Sequence, residues 1–170
     1  MLCPDCRFDN IEGSDACEAC GASLAALYPR GNEVEQSIAA HAIQVLCPRP
    51  PVFVSPTTPV REVMAQMAER GIGCVLVLDG SALVGVFSER DVLNKVSADW
   101  MRLDQPVAAF MTRNPATLTR NDSIGYALQG MDLGGYRHIP VLDAAGYPDG
   151  IISVRDIMRF LCVKYARSRT

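Results

Sequence analysis

Apolar residues along this chain follow two kinds of spacing, one typical of helices and the other of short buried strands. After Pro59 the helical spacing produces one apolar stripe, made of Val60, Val63, Met64, Met67 and Ala68. Two apolar runs follow, Cys74–Leu78 and Leu83–Phe87, with the length and branched residues of strands. The pattern predicts a strand at Val52–Val54, a helix after Pro59, these two strands, and another helix from Ser88.

Both ends of the helix after Pro59 carry recognisable signals. Thr58 can cap the first turn, and proline suits that turn because its missing N–H is not needed there. Gly71 can end the helix, because glycine tolerates the left-handed backbone found just past helix C-termini. Further upstream, helical spacing predicts one helix at Glu33–Leu46, and Leu24–Gly31 is typical of a linker.

The same pattern occurs a second time. Phe53–Val60 aligns with Thr117–Ile124, and the heptapeptide GVFSERD (Gly85–Asp91) returns as GIISVRD (Gly150–Asp156). The second copy has predicted strands at Ala116–Leu118, His138–Leu142 and Gly150–Ile152, with a helix ending at Gly134 or Gly135. The chain therefore contains a duplicated βαββα unit of the α/β class, whose helices cover one face of a small sheet.

Composition narrows the class of protein. The chain has 170 residues, 49% of them hydrophobic and 21% charged, which suits a folded domain and not a disordered tail. No apolar run approaches the ~20 residues that a membrane span needs, and the N-terminus lacks the basic and apolar regions of a secretory signal. We therefore expect a soluble, cytoplasmic protein.

Four of the seven cysteines form two closely spaced pairs, in the sequences CPDC and CEAC. They are Cys3, Cys6, Cys17 and Cys20. A gap of two residues lets two thiolates reach one ion, and two such turns supply the tetrahedral four-sulfur shell that zinc prefers. Residues 1–23 are too few to bury a stable core, so metal binding would provide their folding energy. The pattern predicts a structural zinc ribbon, with no open coordination position for catalysis.

The charges of this ribbon bear on its role. Residues 1–22 hold one base, Arg7, against five acids, namely Asp5, Asp9, Glu12, Asp15 and Glu18. Phosphate contacts need clustered Lys and Arg, and the net charge of the chain is −3. A protein-docking role is therefore favoured, and a nucleic-acid-binding ribbon is the alternative.

The repeated Ser-x-x-Asp at each helix start allows two interpretations. Ser88 with Asp91, and Ser153 with Asp156, can form a capping box, in which the serine and the acid satisfy free backbone N–H groups. Capping explains neither the arginine nor the glycine of the heptapeptide. A ligand would, because helix N-termini favour phosphate and an aspartate can accept a hydrogen bond from a sugar diol.

Together these motifs resemble cystathionine-β-synthase-type (CBS) domains, two of which form a Bateman module. The resemblance covers about residues 37–164 and rests on four stretches of sequence: VSPTTPVREVMAQMAERGIGCVLVLD, GVFSERDVL, YRHIPVLD and GIISVRDIM. It implies two βαββα repeats that pack through their sheets with pseudo-twofold symmetry, association into homodimers, and clefts that bind adenine nucleotides or adenosyl compounds. The expected domains are the ribbon (1–23), a linker (24–36), repeat 1 (37–98), and repeat 2 (99–170) with a basic C-terminal tail.

The resemblance also implies which residues bind a nucleotide. In repeat 2 they are Thr117, Thr119, Arg137, His138, Ile139, Pro140, Ser153, Arg155 and Asp156. In repeat 1 and the segment after it they are Ser55, Val75, Ser88, Arg90, Asp91 and Arg113. The two aspartates match ribose-binding positions, and the two serines match positions near a phosphate. Because repeat 1 has Phe53, Gly73 and Cys74 where repeat 2 has Thr117, Arg137 and His138, the Asp156 site is expected to bind better.

No nucleotide-binding P-loop, serine-hydrolase elbow or zinc-protease motif occurs in the chain, so catalysis is not expected. The expected function is sensing of an adenine nucleotide and transmission of that signal to a partner protein. A transcription regulator with CBS control and a structural adaptor with empty pockets are the alternatives.

Overall fold

A computed structural model describes residues 1–11, 14–27 and 33–167 of the chain. The α-helices are α1 (Glu33–Ala40), α2 (Val60–Arg70), α3 (Glu89–Asp91), α4 (Ile124–Gly134) and α5 (Val154–Arg167). The strands are β1 (Phe53–Val54), β2 (Cys74–Asp79), β3 (Ala82–Ser88), β4 (Thr112–Arg113), β5 (Leu118–Thr119), β6 (His138–Leu142) and β7 (Pro148–Ser153). Within these ranges, no helix has the length and hydrophobicity to cross a membrane.

The chain divides into two compact units. The repeat-1 unit consists of Pro50–Pro115 and Tyr147–Asp149. The repeat-2 unit consists of Met1–Arg49, Ala116–Gly146 and Gly150–Thr170, and so contains the ribbon as well. Residues 37–49 and 99–115, which open the two expected repeats, therefore belong to the unit of the other repeat.

The repeat-1 unit is built on a sheet of order β1-β2-β3-β4. Strand β1 runs parallel to β2, while β3 pairs antiparallel with both β2 and β4. Helix α2 contributes Val60, Val63 and Met67 to the core, which also contains Phe87. The predicted helical stripe is thus confirmed at these positions, because spacing of three and four residues places them on one helix face.

The repeat-2 unit has the sheet β5-β6-β7, in which β5 runs parallel to β6. Ile124 and Met131 of α4, Ile139 of β6 and Ile157 of α5 are buried in its core. An isolated antiparallel bridge between Arg49 and Ile151 adds one more backbone segment beside β7. The segment at Arg49 therefore lies beside β7 in the same way that β4 lies beside β3.

Helix ends follow the sequence prediction in part. Gly71 and Gly135 have φ values of +60° and +63° and end α2 and α4, as expected. Thr58 was predicted to cap α2, but Pro59 is the N-cap and no side chain caps the helix. The backbone explains this difference, because Pro59 forms an extended bridge with Pro106 that moves the start of the helix.

The predicted single helix at Glu33–Leu46 is wrong. Helix α1 ends at Ala40, and a 3-10 turn at Ile43–Leu46 follows. Between them Ala42 pairs with Ser123, and the Ile43 N–H donates to the Asp122 carbonyl at 2.8 Å. These backbone contacts are incompatible with a continuous helix, whose N–H groups bond within the helix.

The segment expected to be a linker begins with an ordered turn. Leu24 is fully buried beside Cys3 and Cys17, and Ala25–Leu27 forms a 3-10 turn. Residues 28–32, which cover the rest of that prediction, lie outside the described residues. At the other end of the chain, Arg159 and Lys164 of the expected basic tail lie within α5, and Arg169 lies outside the described residues.

Candidate functional site

The Asp91 carboxylate lies at the start of α3 and is saturated by contacts within its own unit. Its Oδ2 atom accepts from the Ser88 N–H at 2.9 Å and from the Ser88 hydroxyl at 2.7 Å. Its Oδ1 atom accepts from the Thr112 hydroxyl at 3.1 Å and forms an ion pair with Lys95 at 2.6 Å. Only 6% of Asp91 is exposed.

The Asp156 carboxylate repeats half of this arrangement at the start of α5. Its Oδ2 atom accepts from the Ser153 N–H at 2.8 Å and from the Ser153 hydroxyl at 2.6 Å. Its Oδ1 atom accepts from Arg49 at 2.9 Å, and the Arg49 side chain is 59% exposed. Both aspartates therefore bond back to the serine as a capping box would, and each also contacts a cation.

A carboxylate offers about four lone-pair positions to hydrogen-bond donors. The described contacts of Asp91 use four of them, and those of Asp156 use three. Burial acts to raise the pKa of Asp156, but the donors on Ser153 and Arg49 outweigh it and hold the pKa below its usual value. Asp156 is therefore a charged acceptor with room for one further donor.

The glycine that opens each heptapeptide has a packing role that the sequence prediction did not identify. A Cβ atom at Gly150 would lie 2.8 Å from Cβ of Pro48. A Cβ atom at Gly85 would lie 2.5 Å from the Met111 sulfur and 3.0 Å from the Thr112 carbonyl oxygen. Each glycine thus admits the neighbouring backbone segment, which explains its recurrence without a ligand.

The remaining predicted nucleotide residues lie in several environments. Val75, Ile139 and Pro140 are buried in the sheets, whereas Arg90, Arg137 and Arg155 are exposed at the surface. The Arg137 carbonyl accepts from the Val154 N–H at 3.1 Å, which joins the start of β6 to the start of α5. His138 and Thr117 are half-buried.

Two further predicted residues are engaged within the repeat-1 unit. Arg113 pairs with Gly85 in the sheet, and its guanidinium group donates to the Ala108 carbonyl at 3.1 Å. Ser55 is exposed, and its hydroxyl lies 3.0 Å from the hydroxyl of Thr57. Both side-chain contacts join residues that are close in the sequence.

The four ribbon cysteines converge on one point. The sulfur atoms of Cys3, Cys6, Cys17 and Cys20 all lie within 4.8 Å of one another. Two of the distances are 3.7 Å (Cys3 to Cys20) and 3.5 Å (Cys6 to Cys17). Zn–S bonds of about 2.3 Å in a tetrahedron require sulfur separations of about 3.8 Å, so this cluster fits a four-thiolate metal site.

Local groups shift the thiol pKa of these cysteines in opposite directions. Burial acts to raise the pKa of Cys17, but the backbone N–H groups of Cys20 and Ala19 and the Asn10 side chain lower it to about 6. The Ala22 N–H acts to lower the pKa of Cys20, whereas the Cys6 sulfur and burial raise it to about 12. Four thiolates at this separation repel one another unless a cation lies between them, which is the condition that a bound metal satisfies.

The ribbon is joined to repeat 2 by an ion pair that sequence reasoning did not find. Arg7 directly follows Cys6, and its two terminal nitrogens donate to the two oxygens of Asp122 at 3.0 and 3.2 Å. A further contact joins Arg7 to the Thr119 hydroxyl at 3.2 Å. The predicted nucleotide residue Thr119 is therefore held against the ribbon. The Gln129 amide also donates to the Ser23 hydroxyl at 3.2 Å.

A cavity of about 390 Å³ lies between the ribbon and repeat 2. Asp5, Ala22 and Ser23 line it from the ribbon. The predicted nucleotide residues Thr117 and Ile139 line it from the sheet, and so does a face of α4.

Two tyrosines complete the lining, Tyr126 and Tyr136. The Tyr136 ring occupies the space that a Cβ atom at Gly134 would need, and its hydroxyl lies 3.2 Å from the Cβ position of Gly130. These two glycines, one helical turn apart on α4, thus make room for the ring. Burial raises the pKa of Tyr126 above its usual value, and so does its hydrogen bond with the Asp5 carboxylate.

Comparison with known proteins places this chain in a family. The family model described as "CBS domain" matches residues 43–98 and 107–163. An uncharacterised 17.7 kDa protein of Acidianus ambivalens is 32% identical over 109 residues, which are 64% of this chain. The match spans 65% of that protein, and a similar match spans only 20% of a CBS domain-containing protein of Arabidopsis thaliana.

Comparison with solved structures gives the same family. A CBS-domain-containing protein from Agrobacterium tumefaciens is 29% identical with a TM-score of 0.66, covering 71% of this chain and 98% of that one. A CBS domain protein from Pyrobaculum aerophilum, complexed with AMP, is 28% identical with a TM-score of 0.62, covering 72% and 99%. This chain belongs to the CBS domain family and carries two CBS domains in tandem.

Proposed function

We propose that this protein is a non-catalytic regulatory module that binds an adenine nucleotide at repeat 2 and signals the occupied state to a partner protein. The observation that carries the proposal is the Asp156 carboxylate. It is charged, it is held at a helix start by Ser153, and it has one lone-pair position open to a further donor. A ribose hydroxyl is such a donor, and AMP is bound in the Pyrobaculum aerophilum relative.

Arg49 adds a reason to favour repeat 2. Its guanidinium group lies 2.9 Å from Asp156 and is mostly exposed. An exposed arginine beside a ribose site can turn to a phosphate, for which its planar donors are well suited. At Asp91 the corresponding oxygen is held by both Thr112 and Lys95, so a ligand there would have to displace two contacts.

The ribbon is expected to hold zinc in a structural role. The sulfur separations and the donor set support this assignment, because four thiolates leave no coordination position for substrate. A nucleic-acid-binding role for the ribbon is disfavoured, because its one base, Arg7, is already paired with Asp122. We further expect a homodimer, which light scattering of the purified protein would detect.

Titration calorimetry with AMP, ADP, ATP and S-adenosylmethionine tests the proposed ligand class. We expect saturable binding of at least one of them to the wild-type protein. Asp156→Asn should weaken it tenfold or more, because a hydrogen bond to a charged acceptor contributes about 1.5–3 kcal/mol. Asp91→Asn is the matched control and should change affinity less than threefold.

Two outcomes would reject parts of the proposal. Absence of heat and of any thermal shift with all four compounds at millimolar concentration would remove nucleotide sensing, because a ligand that binds the native state must raise its stability. A larger loss in Asp91→Asn than in Asp156→Asn would move the binding site to repeat 1.

A further inference from the structure

A continuous backbone segment joins the carboxylate that anchors the ribbon to the carboxylate of the proposed ligand site. This connecting segment, residues 41–49, begins beside the loop that contains Asp122. The Ile43 N–H donates to the Asp122 carbonyl at 2.8 Å, and the Gln44 N–H donates to the Arg120 carbonyl at 3.0 Å. Ile43 is also fully buried in the core of the repeat-2 unit. The first half of the connecting segment is therefore fixed on this loop.

The other end of the connecting segment carries the arginine that contacts the ligand site. The Arg49 N–H donates to the Ile151 carbonyl at 3.2 Å, and the Ile151 N–H donates back to the Arg49 carbonyl at 3.0 Å. These bonds place the Arg49 side chain where it donates to Asp156 at 2.9 Å. Because only a few residues separate the two fixed ends, displacement of the first end changes the position of the second.

The backbone at Cys47 shows that the connecting segment is bent against its own preference. Cys47 has φ +51° and ψ +66°, the left-handed conformation. A residue with a Cβ atom disfavours this conformation, because the Cβ comes close to the following carbonyl oxygen. Such a conformation persists only where surrounding contacts hold it. The contacts at both ends therefore determine the course of the segment, and loss of one of them favours a different course.

The ribbon stabilises the first of these fixed ends. The buried Asp122 carboxylate shapes its loop by accepting from the Thr119 N–H at 2.6 Å. Arg7 of the ribbon compensates its charge through two hydrogen bonds, at 3.0 and 3.2 Å. A buried carboxylate that loses its cation is strongly destabilised, so without Arg7 the loop would rearrange to expose it.

We infer that the ribbon regulates the Asp156 site through the connecting segment. In the folded ribbon, Arg7 holds the Asp122 loop and the loop holds the segment. The segment in turn places Arg49 beside Asp156. This inference rests on the proposed function, since it names the regulation of the same site. A site whose arginine is already held in place binds more tightly than one that must first be ordered. Folding of the ribbon around its metal and binding of the nucleotide therefore favour each other, by the same factor in each direction.

The repeat-1 unit has a segment of the same kind, while the ribbon belongs to the other unit. The Val107 N–H donates to the Thr58 carbonyl at 2.8 Å, and further along the chain Thr112 donates to Asp91 at 3.1 Å. The alignment of the two repeats places Thr58 at the position of Asp122. A threonine has no charge that needs a cation from the ribbon. The Asp91 site should therefore be independent of the ribbon.

Titration calorimetry of AMP with the zinc-loaded protein tests the inference. Arg7→Ala should weaken AMP binding about fivefold or more, since coupling between two sites is typically about 5–150-fold. Removal of zinc with a chelator should weaken binding to the wild type by a similar factor and to Arg7→Ala by less than about twofold. Saturating AMP should raise the zinc affinity of the wild type by the same factor. Arg61→Ala is the matched control, because it removes an exposed arginine of the repeat-1 unit, and should leave both affinities unchanged.

Double-mutant cycles on unfolding test the same coupling without a ligand. If the Arg7 contact keeps Arg49 on Asp156, then Arg7→Ala and Asp156→Asn together should cost less than the sum of the separate losses. The matched cycle pairs Arg7→Ala with Asp91→Asn and should be additive. Zinc analysis of each variant shows whether the metal site is retained. Arg7→Lys keeps the charge, should show a smaller coupling loss, and replaces Arg7→Ala in both experiments if that variant does not fold.

Unchanged AMP affinity in zinc-loaded Arg7→Ala would overturn the inference, and so would additivity in the Asp156 cycle. Equal coupling in the Asp91 cycle would overturn it as well, because the effect would not be specific to repeat 2. Failure of AMP, ADP, ATP and S-adenosylmethionine to bind the wild type would instead reject the proposed function. Coupling in the Asp156 cycle would then still support the link between the ribbon and Asp156.

Discussion

Arg7 and Asp122 lie 115 positions apart in the sequence and form two parallel hydrogen bonds, at 3.0 and 3.2 Å. Asp122 is only 4% exposed, while Arg7 is 46% exposed. The same carboxylate accepts from the Thr119 N–H at 2.6 Å and from its hydroxyl at 3.0 Å, just before α4 begins. The metal-binding turn and the entrance of α4 are therefore joined through one buried carboxylate.

Removal of this arginine should destabilise the protein. Arg7→Ala leaves the buried Asp122 carboxylate without its cation, and we expect a loss of about 1–3 kcal/mol in the free energy of unfolding. Denaturant unfolding of the zinc-loaded protein measures the change.

The control for this prediction is Arg61→Ala, which breaks the exposed pair between Arg61 and Asp104. Exposed pairs contribute little, so its effect should stay below about 1 kcal/mol. Equal losses in the two variants would show that burial of Asp122 does not strengthen the Arg7 contact.

Zinc should bind with a stoichiometry of one ion per chain and should order the ribbon. Cys17→Ser removes one thiolate of the cluster, and we expect loss of zinc and of the ribbon fold, because so short a segment depends on its metal. Metal analysis and a chelator titration monitored by circular dichroism measure both effects. Cys47→Ser alters an exposed cysteine outside the cluster and should retain the ion. Full zinc content in Cys17→Ser would contradict the four-thiolate site.

Acid should remove the contribution of Asp156 to stability. The pKa of this carboxyl is lowered in the folded protein, so its contribution is present above the unfolded value of about 4 and is lost as pH falls through the folded pKa. At pH 7, Asp156→Asn should cost about 1 kcal/mol, as is typical of a lost cap. The difference from wild type should shrink once the pH falls below about 4.

Denaturant unfolding of both proteins between pH 7 and pH 2 tests this prediction. In an Arg49→Ala background, the stabilising contribution of Asp156 should begin to fall at a higher pH, because Arg49 helps to hold the pKa of Asp156 down. A difference that stays constant over the whole pH range would rule out the charge of Asp156 as its origin.

Gly150→Ala should destabilise the repeat-2 unit. The new methyl group would lie 2.8 Å from Cβ of Pro48, and overpacking of this kind costs about 1–3 kcal/mol. Pro48→Gly removes the atom that would clash, so the two substitutions together should cost less than the sum of the separate losses. Thermal unfolding of the three variants measures this coupling, and strict additivity would show that the contact is unimportant.

The repeated pattern made much of the fold predictable. Sequence alone identified the βαββα order, the buried face of α2 and the glycine ends of α2 and α4, because each depends on local spacing or on one backbone conformation. The four metal-binding cysteines were also identified, because their spacing reflects the geometry of the ion.

Contacts that depend on distant segments were not predictable. Nothing near Ala42 in the sequence indicates that it pairs with Ser123, and that pairing ends the predicted helix early. Arg7 was interpreted as a solitary base, because its partner Asp122 lies in another domain of the sequence. One signal was present, since the aligned repeats place Thr58 opposite Asp122 and so show an acid in one copy only.

Arg49 and Thr112 perform the same task in different units: each lies near the start of one expected repeat and contacts the helix-start aspartate of the other. If the gene were divided near residue 99, at the boundary between the expected repeats, each fragment would lack a part of its own unit. The first fragment would lack β4 with Thr112, which donates to Asp91, and the second would lack Arg49, which donates to Asp156. Residues 50–115 form a continuous fragment that retains its own edge. The other unit would need a new covalent junction, from Arg49 directly to Ala116, to be produced as a single polypeptide.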